Sequence, residues 1–277
     1  MSLILPSFLT IAGTDPSGGA GIQADLKTAA ALGVYGSSVV TALVAQNTTG
    51  VFLTEPVGQE MLAAQLEAVF TDIPPQAVKI GMAGTSVSIE IIAEKLRKYN
   101  QSPVIVDPVM VSTSGHSLLN PEDVNALTSR LFPLAALVTP NIPEAEALLS
   151  TKGRRICTGK DMEKAALELS QVFQTSFLLK GGHNDQGADD VLCCNGSVTW
   201  FSGKRINNPN THGTGCTLSS AIACGLAAGM GLEDSICAAK SYLNGALKAG
   251  LKLGKGRGPL WHGWKTETIP LSETKRK

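Results

Sequence analysis

The stretch Phe8-Leu-Thr-Ile-Ala-Gly-Thr-Asp-Pro-Ser-Gly-Gly-Ala-Gly-Ile-Gln-Ala-Asp-Leu-Lys-Thr-Ala-Ala-Ala-Leu32 passes from strand to loop to helix. Phe8–Ala12 is a short apolar run of the kind that forms a buried strand. The next residues are crowded with glycine. Gly21–Leu32 then sets Ile22, Leu26, Ala29 and Ala30 on one helical face. A strand followed at once by such a helix reads as one unit of a parallel sheet, whose strands need crossover connections.

The rest of the chain repeats the unit. Strands are expected at Ser38–Ala45, Ala77–Gly81, Val104–Asp107, Ala136–Thr139 and Phe177–Lys180. Helices are expected at Glu60–Phe70, Ser88–Lys98, Pro121–Leu131 and Asp161–Phe173. Asp190–Cys194 and Val198–Phe201 flank Asn195-Gly196, the signature of a type I′ hairpin turn. Two Ala-rich helices close the pattern, Gly215–Ala228 and Leu232–Gly250. The expectation is an α/β fold with a mainly parallel central sheet covered on both faces, as one domain over residues 1–277 with a polar tail from about 266.

Composition narrows the function. Lys plus Arg number 23 and Asp plus Glu number 23, without the basic excess of a nucleic-acid binder. No apolar run approaches the roughly 18 residues that span a bilayer. The start, Met1-Ser-Leu-Ile-Leu-Pro6, lacks a basic leader, so it does not read as a signal peptide. The six cysteines show no C-x-x-C spacing and are too sparse for a disulfide scaffold. Reduced thiols in a cytoplasmic protein are the expectation.

In open parallel sheets ligands gather beyond the carboxyl ends of the strands. Those ends are expected at Gly13-Thr14-Asp15, Gln46-Asn47, Gly81-Met82, Asp107-Pro108, Thr139-Pro140-Asn141 and Lys180-Gly181-Gly182. All are polar or glycine-bearing. Lys180 can neutralise phosphate oxygens, or it can be a solvated lysine in a turn. Asp107 can hold Mg²⁺ or polarise a water, or it can open an Asp-Pro turn. Asn141 and Glu144 have the spacing of a helix capping box; Glu144 can also help to place Mg²⁺. Asp25, one turn into the first helix on its polar side, can hydrogen-bond a ring or be merely solvated.

His212-Gly-Thr-Gly-Cys-Thr217 is the sharpest segment. Glycines bring bare backbone close to an anion, and a following helix aims N–H groups and its positive end at the same place. That is a cradle for a transferring phosphoryl group. Cys216 falls in the first turn, where the dipole is expected to lower a thiol pKa and make it a proton acceptor. The bland alternative is a glycine turn before a buried helix, with Cys216 as a small core residue. Gly153 to Lys160 imitates a P-loop, but five residues separate its glycines and Asp161 stands where Ser or Thr is needed. The first loop also lacks the G-x-G-x-x-G pattern, which argues against a NAD-dependent enzyme.

Taken together, Ala12–Thr28, Thr41–Thr48, Lys79–Met82, Val106–Met110, Thr139–Glu146, Lys180–His183, Thr211–Thr217 and Gly258–His262 resemble the hydroxymethylpyrimidine/phosphomethylpyrimidine kinases, ribokinase-like enzymes of thiamine biosynthesis. The resemblance spans about residues 8–262. It implies a three-layer αβα sandwich, ATP and Mg²⁺, commonly a homodimer, and two successive phosphorylations of 4-amino-5-hydroxymethyl-2-methylpyrimidine. By position it implies Cys216 as base, with Gly213, Thr214 and Gly215 as anion hole beside Thr211 and Lys180. It implies pyrimidine contacts at Gly13, Asp25, Met82 and Val109, and at Gln46, where some members carry Glu. Asp107, Asn141 and Glu144 match phosphate or Mg²⁺ positions. Pyridoxal kinase is the nearest rival, since pyridoxal also bears a ring hydroxymethyl group. A vitamin-binding relative without turnover is the rival from another class.

Overall fold

The computed structural model describes residues 4–99, 102–110, 120–149, 155–182 and 187–266. It opens with β1 (Ser7–Ala12), α1 (Gly21–Ala31) and β2 (Tyr35–Val40). A hairpin follows, β3 (Ala42–Asn47) and β4 (Gly50–Pro56), then α2 (Gln59–Asp72), β5 (Ala77–Ile80), α3 (Ser86–Tyr99) and β6 (Val104–Val106). Next come α4 (Pro121–Ala126), β7 (Leu137–Val138), α5 (Ile142–Leu148), α6 (Gly159–Phe173) and β8 (Phe177–Leu179). The chain ends with β9 (Asp190–Cys194), β10 (Ser197–Phe201), α7 (Thr214–Ala227) and α8 (Leu232–Lys248).

Eight strands form one sheet in the order β10-β9-β8-β7-β6-β5-β1-β2. Strands β2 through β8 in this order are parallel, and β9 and β10 turn antiparallel at one edge. Successive strand residues point to opposite faces. Leu9, Ile11, Val78, Ile80, Val104 and Val106 therefore enter one core, which includes Leu62, Leu66, Ile89 and Ile92 of α2 and α3. Phe8, Ala77 and Ile105 enter the other, with Leu218, Ile222, Ile236 and Tyr242 of α7 and α8. Two cores on a common sheet make the expected three layers.

Local chemistry sets the helix starts. Asn120/Asp123, Asn141/Glu144 and Thr158/Asp161 form capping boxes on α4, α5 and α6. Thr158 and Asp161 thus explain the start of α6; Gly153 of the P-loop imitation lies outside the described residues. The hairpin turn also forms as its sequence demands, with φ of 50° at Asn195 and 77° at Gly196.

Two expectations need correction. Ser38–Ala45 is not one strand. The chain leaves the sheet at Thr41, whose hydroxyl donates to the Met82 carbonyl at 2.7 Å. β3 then pairs with β4 in a separate two-stranded flap. Gln46-Asn47 therefore stands on that flap, not at a carboxyl end of the central sheet. The helix expected at Pro121–Leu131 loses its α form after Ala126 and continues through π-helical Leu127–Leu131 into a 3₁₀ turn, Phe132–Leu134. Pro133, which lacks an N–H, sits in that last turn.

Candidate active site

Strands β1, β5, β6, β7 and β8 deliver their loops to one edge of the sheet, and α7 points its N-terminus there. Gly213, the residue before α7, has φ of 82°, a left-handed conformation that glycine adopts freely. A Cβ on it would lie 1.8 Å from the Gly19 carbonyl oxygen, so the two glycine-rich loops touch backbone to backbone. No side chain caps α7 and no acid occupies its first turn. Its dipole end is left to an anion.

Asp107, at the end of β6, is the hub beside it. Its Oδ1 accepts from Lys180 Nζ at 2.8 Å and from the Thr139 hydroxyl at 3.3 Å. Its Oδ2 accepts from Ser219 on α7 at 3.3 Å. A Cβ on Gly215 would stand 3.4 Å from both Asp107 Oδ2 and Lys180 Nζ. The helix N-terminus and the ion pair therefore share one small space. Burial disfavours the Lys180 ammonium, but the charges of Asp107 and Glu144 outweigh it and raise its pKa. Lys180 is thus cationic at neutral pH. His183 of the same segment lies outside the described residues.

Glu144 is buried, and the Asn141 side-chain oxygen accepts from its backbone N–H at 2.9 Å. The geometry thus gives Asn141 a capping role. Burial pushes the Glu144 carboxyl up to about 7; Asp107 adds to this, while Lys180 and the N–H groups of Asn141 and Met110 oppose it. The folded chain therefore keeps a proton that the unfolded chain gives up at an ordinary carboxylate pKa. From this group, stability falls as pH rises from the ordinary value through about 7. Buried His262, pushed down to about 4 by burial and by Lys27, acts with the opposite sign below its ordinary pKa. Glu144→Gln preserves the capping box and isolates the first effect. Thermal melts of the unliganded variant are expected to lack the part of the decline between pH 5 and about 7.5 that wild type shows. Parallel wild-type and variant profiles would contradict this.

Three ring-binding candidates, Gly13, Met82 and Gln46, lie on the flap side. A Cβ on Gly13 would meet Met82 Cε at 2.5 Å and Val44 at 3.5 Å. Val109 follows Asp107 in a tight turn, its N–H donating to the Asp107 carbonyl at 2.8 Å. Gln46 reaches the Thr14 carbonyl only at 3.4 Å. A cleft of about 450 Å³ opens between flap and glycine loop, lined by Thr14, Gln23, Val44, Leu53 and Glu55 among others.

Two site residues differ from their sequence reading. Asp25 is not on a polar helix face: it is fully buried, and it accepts from Thr10 at 2.6 Å, Lys79 at 2.8 Å and Ser220 at 2.7 Å. Cys216 does not have a lowered pKa. Burial pushes its thiol up to about 11; Asp25 and Asp107 add to this, and Lys79 and the Gly21 N–H only partly offset it. Desolvation of the thiolate outweighs the helix end.

Sequence reading missed one connection. Buried Asp15 accepts from the N–H groups of Ser17, Gly19 and Ala20 at 2.9, 3.1 and 2.7 Å, and pairs with His212 Nε2 at 2.8 Å. It staples the first glycine loop to the start of the 212–217 segment. Asp15 followed by Ser17 was a visible turn signal; the His212 partner, far along the chain, was not.

A family model described as phosphomethylpyrimidine kinase matches residues 15–261. The hydroxymethylpyrimidine/phosphomethylpyrimidine kinase of Rhizobium meliloti (strain 1021) is 49% identical over 258 residues, 92% of this chain and 96% of that protein. The crystal structure of phosphomethylpyrimidine kinase from Clostridium difficile 630 matches with a TM-score of 0.75 at 46% identity, over 86% of this chain and 97% of that one. An ADP complex of Bacillus subtilis pyridoxal kinase matches with a TM-score of 0.86 at 33% identity, over 95% and 99%. Family model, sequence and ribokinase-like architecture agree: the chain belongs to the phosphomethylpyrimidine kinase family.

Proposed function

We propose that the protein uses ATP to phosphorylate 4-amino-5-hydroxymethyl-2-methylpyrimidine, and then its monophosphate to the diphosphate, in thiamine biosynthesis. The observation that carries this is the uncapped N-terminus of α7 meeting the Lys180–Asp107 pair, with Met82 packed on Gly13 at the flap side. Gly13, Val44, Met82 and Val109 hold the ring. Thr211, Gly213, Thr214 and Gly215 receive the transferring phosphoryl group, and Lys180 neutralises its oxygens. Buried Asp25 acts from below, through Lys79 and α7.

Asp107 and Glu144 are hard oxygen donors, and their mutual repulsion is what a divalent cation relieves. Mg²⁺ commonly takes only one or two carboxylates and shares the rest of its coordination with phosphates and water. Mg²⁺, when bound there, neutralises phosphate charge.

In the first step the Cys216 thiol has released its proton to solvent. The thiolate then takes the hydroxymethyl proton as the oxygen bonds to the γ-phosphorus. The bond from that phosphorus to the β,γ-bridging oxygen breaks, and ADP leaves with its electron pair. In the second step the attacking phosphate is already anionic and has less need of a base.

Pyridoxal is the second reading, favoured by the close superposition on pyridoxal kinase. Parallel steady-state assays of ADP release decide between them. The pyrimidine alcohol is expected to show a kcat/KM at least tenfold above that of pyridoxal; the reverse ratio would move the assignment. Exposed Leu43, Phe52 and Leu53 on the flap fit a homodimer contact. Among the described residues no helix is long and apolar enough to cross a membrane.

A further inference from the structure

Lys79 is fully buried on β5, a strand otherwise built of Ala, Val and Ile. Lysine is almost never so placed without a partner. Its Nζ donates to Asp25 Oδ2 at 2.8 Å. Such a pair is weak evidence for stability, because apolar residues of similar volume often do as well. Its surroundings suggest another use. Lys79 shares the face of Ala77, toward α1 and α7. A Cβ on Gly81 would lie 2.7 Å from its Nζ, so the ammonium reaches toward the carboxyl end of β5. Ser220 donates to Asp25 Oδ1 at 2.7 Å. Ser220 lies four residues beyond Cys216, on the same face of α7. The Gly21 N–H, at the start of α1, adds a small effect in favour of the Cys216 thiolate.

We propose that Lys79 is a positioning residue that stabilises the thiolate of Cys216, its ammonium held beneath α7 by Asp25, which Thr10 and Ser220 fix in place. The charges that act on the thiol agree. Lys79 is the foremost group that favours the thiolate, whereas Asp25 and Asp107 oppose it. Once ionised, Cys216 in turn raises the pKa of both Lys79 and Lys180. The catalytic meaning rests on Cys216 being the base; the thiol titration does not.

The test is Lys79→Met, read first without substrate. Iodoacetamide alkylation of the Cys216 peptide is followed by mass spectrometry from about pH 7 to 11. The variant profile is expected to move to higher pH, with alkylation at pH 8 slower by about tenfold, the effect of one pKa unit. With substrate, the first phosphorylation should fall at least as far and the second less. An unshifted alkylation profile in a folded variant would overturn the proposal. Lys79→Gln, which removes the charge but keeps an amide that can donate toward Asp25, serves if the methionine variant does not fold. Failure of both to fold would also overturn it, in favour of a purely structural pair. If Cys216→Ala left the first phosphorylation intact, the base assignment would fail while the alkylation profile still judged Lys79.

Discussion

Replacing Lys180 with methionine is expected to slow both phosphorylations by roughly 10²–10³, the usual loss when one donor to a developing anion is removed. Both steps move a phosphoryl group through the same place, so both should suffer alike. Pyrimidine binding should change little, because Gly13 and Met82 lie on the flap side of the site. The variant also strips Asp107 of its 2.8 Å partner. Breaking a buried pair from one side typically costs about 3–5 kcal/mol of stability. Thermal melts must therefore accompany the kinetics, and rates are to be compared well below the variant's midpoint. Loss of only the second step would mean that Lys180 serves the acceptor phosphate and not the transferred one.

Cys216→Ala is expected to slow the first phosphorylation by about 10²–10⁴, the range for a general base, and the second by much less. A primary alcohol needs its proton removed as it attacks; a phosphate monoester has none to lose at the attacking oxygen. The thiol pKa of about 11 adds a signature. Below that value each unit of pH raises the thiolate fraction about tenfold. The first step of wild type should climb with pH beyond the range where an ordinary cysteine levels off, and the climb should vanish in Cys216→Ala. Equal slowing of both steps would assign Cys216 to the anion cradle or to packing.

The layers of the fold were legible because each element carried its own period and its own stops. The Asn141/Glu144 box and the Asn195-Gly196 turn formed as local chemistry requires. The flap was not legible for a physical reason. Ser38–Ala45 is a continuous β-prone run, and β-propensity does not say which partner a strand will take. The break at Thr41 depends on the Met82 carbonyl, which only the folded chain brings near.

Asp25 and Cys216 teach the same lesson about the site. Their positions in the chain were readable, but their electrostatics were not. A carboxylate early in a helix reads as solvated until Thr10, Lys79 and Ser220 close around it. A thiol at a helix start reads as acidic until burial is counted, and here burial wins.

One site is expected to phosphorylate the pyrimidine alcohol twice. A time course of products by mass spectrometry, with ATP, Mg²⁺ and 4-amino-5-hydroxymethyl-2-methylpyrimidine, tests it most directly. The monophosphate should rise first and then decline as the diphosphate accumulates. A time course with no phosphorylated pyrimidine, or one that stops at the monophosphate with ATP in excess, would contradict it.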